Sequence, residues 1–99
     1  MISQDEIAVK LMTDTRWLER GILAIYKKQT AEEQSAETAL QHNGVGFSSV
    51  DAYILSSFAR QLLDGKSLSK KQRILAAKKM PKYAKQLLQI AKEKENALR

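Results

Sequence analysis

The stretch SSVDAYILSSFARQLLDG, residues 48–65, decides the fold class. Ile54, Phe58 and Leu62 recur at the spacing of one helix face, and Leu55, Ala59 and Leu63 lie beside them. Ser48-Ser49-Val50-Asp51 has the form of a helix cap, a serine followed three residues later by an acid. Gly65 supplies the stop after Asp64. This is the most apolar helix in the chain, and it predicts the centre of the core. Nowhere do Val and Ile alternate with polar residues over a strand's length, so no sheet is expected.

On the N-terminal side lies Gly44-Val45-Gly46-Phe47. It lacks the glycine spacings of phosphate-binding loops and reads as a tight interhelical turn pinned by Phe47. With Ser48 as the cap, the free N–H groups of the next helix could still hold one phosphate. Before it, Thr30-Ala31-Glu32-Glu33 predicts a shallowly packed helix to about Gln41, stopped by Asn43-Gly44. Thr13 and Asp14 offer a cap for a helix over residues 15–28, striped by Leu18, Ile22 and Ile25, with Trp17 and Tyr26 alongside. Ser3-Gln4-Asp5-Glu6 opens a first helix through about Met12, with Ile7 and Leu11 on one face. Whether these two are separate helices or one bent helix stays open.

On the C-terminal side, Ser69 and Gln72 form another capping box, for a helix to about Met80. Pro81 either kinks that helix or begins a new one. The helical pattern resumes with Tyr83, Leu87 and Ile90, and fades over residues 93–99. The expected architecture is all-α: a compact bundle of five or six short helices forming one domain over residues 1–99, with residues 1–12 and 93–99 frayed.

The chain has 99 residues, 43% of them hydrophobic, and no cysteine. A small domain without disulfides fits a reducing compartment, and a cytoplasmic location is expected. Residues 1–10 carry Asp5 and Glu6 and no apolar run, so they do not read as a signal peptide. The longest apolar runs, residues 22–26 and 74–77, fall far short of the roughly 20 residues a membrane span requires.

The net charge of +6 is unevenly placed. Residues 66–99 hold eleven Lys and Arg against Glu93 and Glu95, while residues 1–65 hold six against nine acids. Such asymmetry points to a basic surface that meets an anionic partner. From residue 66 to 85 there are eight cations and no acid. On an unbroken helix Lys71, Lys78, Lys82 and Lys85 share a face, with Lys70, Arg73 and Lys79 flanking it and Lys92 extending it. Ammonium groups in a row can meet phosphates and release counterions. Lysine supplies charge without the geometry to read bases, so backbone contact is the expectation. Tyr83 sits among the lysines and could stack on a base. Trp17 and Phe58 are expected in the core.

No catalytic constellation is visible. His42 is the lone histidine and reads as a residue at a helix C-terminus. Without cysteine, a zinc site would need a carboxylate cluster that the sequence does not show. The serines read as caps and turns, and no nucleophile has a base beside it. The chain is expected to be non-enzymatic, with neither metal nor cofactor.

A further pointer comes from Arg16-Trp17-Leu18-Glu19-Arg20-Gly21-Ile22, Ala24-Ile25-Tyr26, Gln29-Thr30, Asn43-Gly44-Val45-Gly46-Phe47 and Asp51-Ala52. Ser56-Ser57 with Gln61, Gly65, Leu68-Ser69 and Lys71-Gln72 forms the centre of that pattern, and Lys78-Lys79-Met80-Pro81-Lys82-Tyr83-Ala84-Lys85-Gln86-Leu87 completes it. Over residues 15–92 the chain resembles a small helical module of phage, mobile-element and bacterial hypothetical proteins, some of them near DNA-processing proteins such as helicases. The resemblance implies association with nucleic acid, DNA in preference to RNA, and transfers no site residue. The alternative is a protein-interaction module, an adaptor or an inhibitor of a larger enzyme, that docks on an acidic surface. It would expose apolar groups such as Val45, Phe47 and Tyr53. Self-association as a homodimer is a third reading.

Overall fold

The computed structural model describes residues 3–36 and 46–97. Among them are five α-helices, α1 (Gln4–Thr13), α2 (Thr15–Ala36), α3 (Ser49–Leu63), α4 (Lys70–Lys79) and α5 (Ala84–Ala97). A 3₁₀ turn, Met80–Tyr83, joins α4 to α5. No strand occurs among the described residues. The all-α bundle is as expected.

The first two helices are separate. Asp14 adopts an extended conformation between them, and its Oδ1 accepts from the backbone N–H groups of Arg16 and Trp17. Thus Asp14, not Thr13, caps α2; the Thr13 hydroxyl donates instead to the Val9 carbonyl. α1 packs on the core through Ile7 and Leu11, both fully buried.

The expected break near residue 29 is absent. α2 continues through Thr30, whose hydroxyl donates to the carbonyls of Tyr26 and Lys27 rather than capping a new helix. No glycine or proline interrupts the helix there. Residues 37–45, with His42, Asn43, Gly44 and Val45, lie outside the described residues, so the expected stop at Asn43-Gly44 falls outside them too.

α2 is the spine. It packs on α1, α3, α4, the 3₁₀ turn and α5, and it buries Leu18, Ile22 and Ile25. Gly21 lies at its crossing with α1 and α5, where a Cβ would come within 2.9 Å of Leu11 and 3.2 Å of Leu87. A larger residue would force the side-chain tips of Leu11 and Leu87 to shift.

The inward face of α3 is rotated from the expected one. Leu55, Phe58 and Ala59 are buried, Ile54 and Leu62 only partly, and Leu63 is exposed. Asp51 lies one turn before Leu55 on this same face, so it points into the protein. Phe58 is in the core as expected, whereas Trp17 is only half-buried.

Pro81 sits at the start of the 3₁₀ turn, where its missing N–H costs nothing. The turn buries Met80 and Tyr83 against the core. The capping box at the start of α4 is present: the Ser69 hydroxyl accepts from the Gln72 N–H, and the Gln72 side chain accepts from the Ser69 N–H.

Candidate nucleic-acid interface

The basic segment does not present one continuous row. The unbroken helix that would align Lys71, Lys78, Lys82 and Lys85 is interrupted by the 3₁₀ turn. The structure sorts the expected site residues into two groups. Lys70, Lys71, Arg73, Lys78 and Lys85 are exposed, and none makes an ion pair with a described residue. Lys79, Lys82 and Tyr83 instead converge on Asp51.

That convergence is built from the backbone of residues 46–48. Gly46, at φ 91°, donates its N–H to Oε1 of Gln86 on α5, and its carbonyl accepts from Nε2 of the same side chain. The Phe47 N–H donates to Oε1 of Gln29 on α2. The Ser48 N–H donates to the Tyr83 hydroxyl at 3.0 Å. Three successive residues are thus tied to three elements, which fixes where α3 begins.

Asp51, 1% exposed, then lies within reach of its partners. Lys79 Nζ contacts its Oδ1 at 3.0 Å, and Lys82 Nζ pairs with Oδ2. The Tyr83 hydroxyl donates to Oδ2 at 2.7 Å, and the Ser48 hydroxyl donates to Oδ2 at 3.3 Å. Burial alone would push this carboxyl up. Hydrogen bonds from Lys82, Tyr83 and Lys79 outweigh that effect and hold it well below the ordinary carboxylate range. The hydrogen bond to Asp51 pushes the Lys82 ammonium up.

Two expectations are corrected here. Tyr83 is not available to stack on a base: it is 3% exposed, with its ring edge-on to buried Phe47 at 5.5 Å. Ser48 stands at the start of α3 but makes no side-chain cap hydrogen bond to it; its hydroxyl donates to Asp51 instead. Lys79 and Lys82 are committed to a structural ion pair.

The sequence reading missed Asp51. The signal lay in its phase with Leu55, Phe58 and Ala59, an acid on an apolar stripe, but the residue also fitted a helix cap and was read as one.

Two grooves meet at the α1–α2 corner, and Asp14 lines both. One, of about 190 Å³, runs between that corner and α4, with Lys70, Arg73 and Ile74 on its α4 wall. The other, of about 440 Å³, runs between α2 and α5. Gly21, Ala24, Leu87 and Ile90 make it apolar, Trp17 lines it, and Arg16, Arg20 and Lys94 carry its charge. Arg16 and Arg20 stand one helical turn apart beside Trp17, a spacing visible in the sequence but given no role there. Lys28 and Glu93 join α2 and α5 through an ion pair at 2.9 Å.

Among the described residues, no cluster of three or more His, Cys, Asp or Glu could hold a metal, and no helix is long and apolar enough to cross a membrane. No family model, curated protein or solved structure matches this chain, so the resemblance to phage and mobile-element modules rests on its motifs alone.

Proposed function

We propose that this domain is a non-enzymatic accessory module that contacts the phosphate backbone of nucleic acid through the exposed cations of α4 and the start of α5. One observation carries the proposal. Lys70, Lys71 and Arg73 crowd the first turn of α4, which holds no acid. The N-terminus of a helix is its positive end, so cations there oppose the helix dipole. The same chain follows the rule in α1, which has Asp5 and Glu6 in its first turn and Lys10 in its last. A charge arrangement that works against the helix carrying it fits selection for a bound anion. Lys78 and Lys85, on either side of the 3₁₀ turn, are exposed as well. DNA is favoured over RNA by the sequence resemblance.

The test is fluorescence anisotropy with labelled DNA and RNA across a salt series. Binding should weaken steeply with salt, and Lys70→Glu with Lys71→Glu and Arg73→Glu should reduce the slope of log K against log salt by about one per lost contact. Lys82→Glu is a poor probe, since it would set a second carboxylate against Asp51. An unchanged slope in the triple variant would refute the proposal.

One observation favours the protein-docking alternative. Val50 and Tyr53, one turn apart on α3, are 82% and 86% exposed. Phe47, by contrast, is in the core, so Phe47→Ala would test folding rather than docking. Tyr53→Ala is the variant for a pull-down, which would have to survive nuclease treatment.

A further inference from the structure

We infer that the α2–α5 groove receives single-stranded nucleic acid, with a base against Trp17 and phosphates held by Arg16, Arg20 and Lys94. This extends the proposed function and rests on it.

Three observations carry the inference. First, the groove is apolar inside and cationic at its edges, the combination needed by a strand whose bases are flat and apolar and whose backbone is anionic. Second, its cations outnumber its acids among the described lining residues. Arg16, Arg20 and Lys94 make no ion pair with a described residue. Among the described lining residues the one acid, Asp14, turns Oδ1 toward the first N–H groups of α2. Third, the groove lies next to the one lined by Lys70 and Arg73, since Asp14 borders both. A strand held by the start of α4 can therefore pass the α1–α2 corner and enter between α2 and α5.

The chemistry favours a single strand. Arg16 and Arg20 are separated by four residues, a rise of about 6 Å along the helix, which lets two guanidinium groups address neighbouring phosphates. Paired bases lie inside a duplex and cannot reach Trp17 in a groove of this size, whereas a single strand can turn a base out. Lys10 Nζ lies over one face of the Trp17 ring, 5.5 Å from its centroid.

Trp17 is the sole tryptophan, so its emission reports the groove directly. The experiment titrates the whole chain with a short oligothymidylate, then with a duplex of equal length, at low and physiological salt. Alongside anisotropy, it follows Trp17 emission. The expected result is quenching by the single strand and not by the duplex. Arg16→Glu with Arg20→Glu should weaken single-strand binding about tenfold or more and abolish the quenching. Trp17→Ala should weaken it about tenfold, the equivalent of one base stack. Both arginines are exposed, and circular dichroism would verify that the variants are folded.

Anisotropy showing binding, with Trp17 emission unchanged and the Arg16/Arg20 variant neutral, would overturn the groove assignment and leave the α4 contact standing. Equal quenching by the duplex would overturn the single-strand assignment. Quenching by a glutamate-rich amphipathic peptide but not by the oligonucleotide would assign the groove to a protein. Absence of binding to any nucleic acid would overturn both this inference and the function on which it rests.

Discussion

Removing the Asp51 carboxylate should destabilise the domain severely for its size. Truncating one partner of a fully buried ion pair costs about 3–5 kcal/mol, because the other charge is left stranded. Here the cations are not fully buried: the side chains of Lys79 and Lys82 are 28% and 52% exposed, so water can take up part of their charge. The Tyr83 hydroxyl also keeps a partner, since it still accepts from the Ser48 N–H. The expected cost of Asp51→Ala is therefore about 2–3 kcal/mol, out of a total stability on the order of 5–15 kcal/mol for a domain of this length. At about 4–8 °C per kcal/mol, the melting temperature should fall by about 10–20 °C. Lys79→Met and Lys82→Met should each cost less, with Lys82→Met the milder because its ammonium is half exposed. Urea denaturation followed by circular dichroism measures all three. In double-mutant cycles, each lysine substitution should cost little once Asp51 is gone. An Asp51→Ala cost under about 1 kcal/mol, or full additivity in the cycles, would refute the assignment of this cluster as the pin that holds α3.

The same cluster fixes the pH dependence. The Asp51 carboxyl is depressed from its ordinary value of 3.8, so its contribution is present above about pH 4 and is lost as the pH falls through the lower folded value. Lys82 is raised from 10.5, so its contribution is present below that value and is lost as the pH rises through the higher one. The stability gap between wild type and Asp51→Asn should shrink as the pH drops below about 4, read by denaturation at a series of pH values. Gly46→Ala should cost more than Gly65→Ala. Both residues have positive φ, near 91° and 83°, but only at Gly46 would the Cβ meet a neighbour, Gln29, at 2.9 Å. Calorimetry would separate them, with Gly65→Ala costing about 1 kcal/mol. Gln72→Ala should cost about 1–2 kcal/mol, because it removes half of the α4 capping box and the reciprocal amide pair with Gln61, at 3.0 Å in each direction. Tyr53→Ala, at an 86% exposed site, should leave the melting temperature within a few degrees of wild type.

Helix content and most of the core were legible because they depend on local patterns. Ile7, Leu11, Leu18, Ile22 and Ile25 announce themselves by spacing, and Ser69 with Gln72 forms the box that it spells. Thr30 shows where this logic fails. Its motif is a valid cap, yet its hydroxyl donates back to Tyr26 and Lys27 instead of capping a new helix, and the sequence holds no breaker to end α2 there. Asp51 shows the deeper limit. Its partners Lys79, Lys82 and Tyr83 lie about thirty residues away, and only the packing of the 3₁₀ turn brings them together. A lysine destined for an ion pair and a lysine facing solvent look alike in sequence. Lys79, Lys82 and Tyr83, which meet at Asp51, therefore look in sequence like part of one basic site with the exposed Lys70, Lys71, Arg73, Lys78 and Lys85.

That division of the lysines has a consequence for function. Lys79 and Lys82 anchor the junction between α4 and α5 to α3, which leaves Lys70, Lys71 and Arg73 at the free end of α4 and Lys85 beyond the anchor. Binding and stability therefore become separable along a segment that looks uniformly basic. Charge reversal at the start of α4 relieves an unfavourable alignment with the helix dipole, so it should leave stability unchanged or raise it while weakening nucleic-acid binding. Charge reversal at Lys79 or Lys82 should lower both, because the helix that carries the contact loses its tether. A solvated face kept only for solubility would show neither pattern: loss of any one cation would change binding little, and stability would follow burial alone.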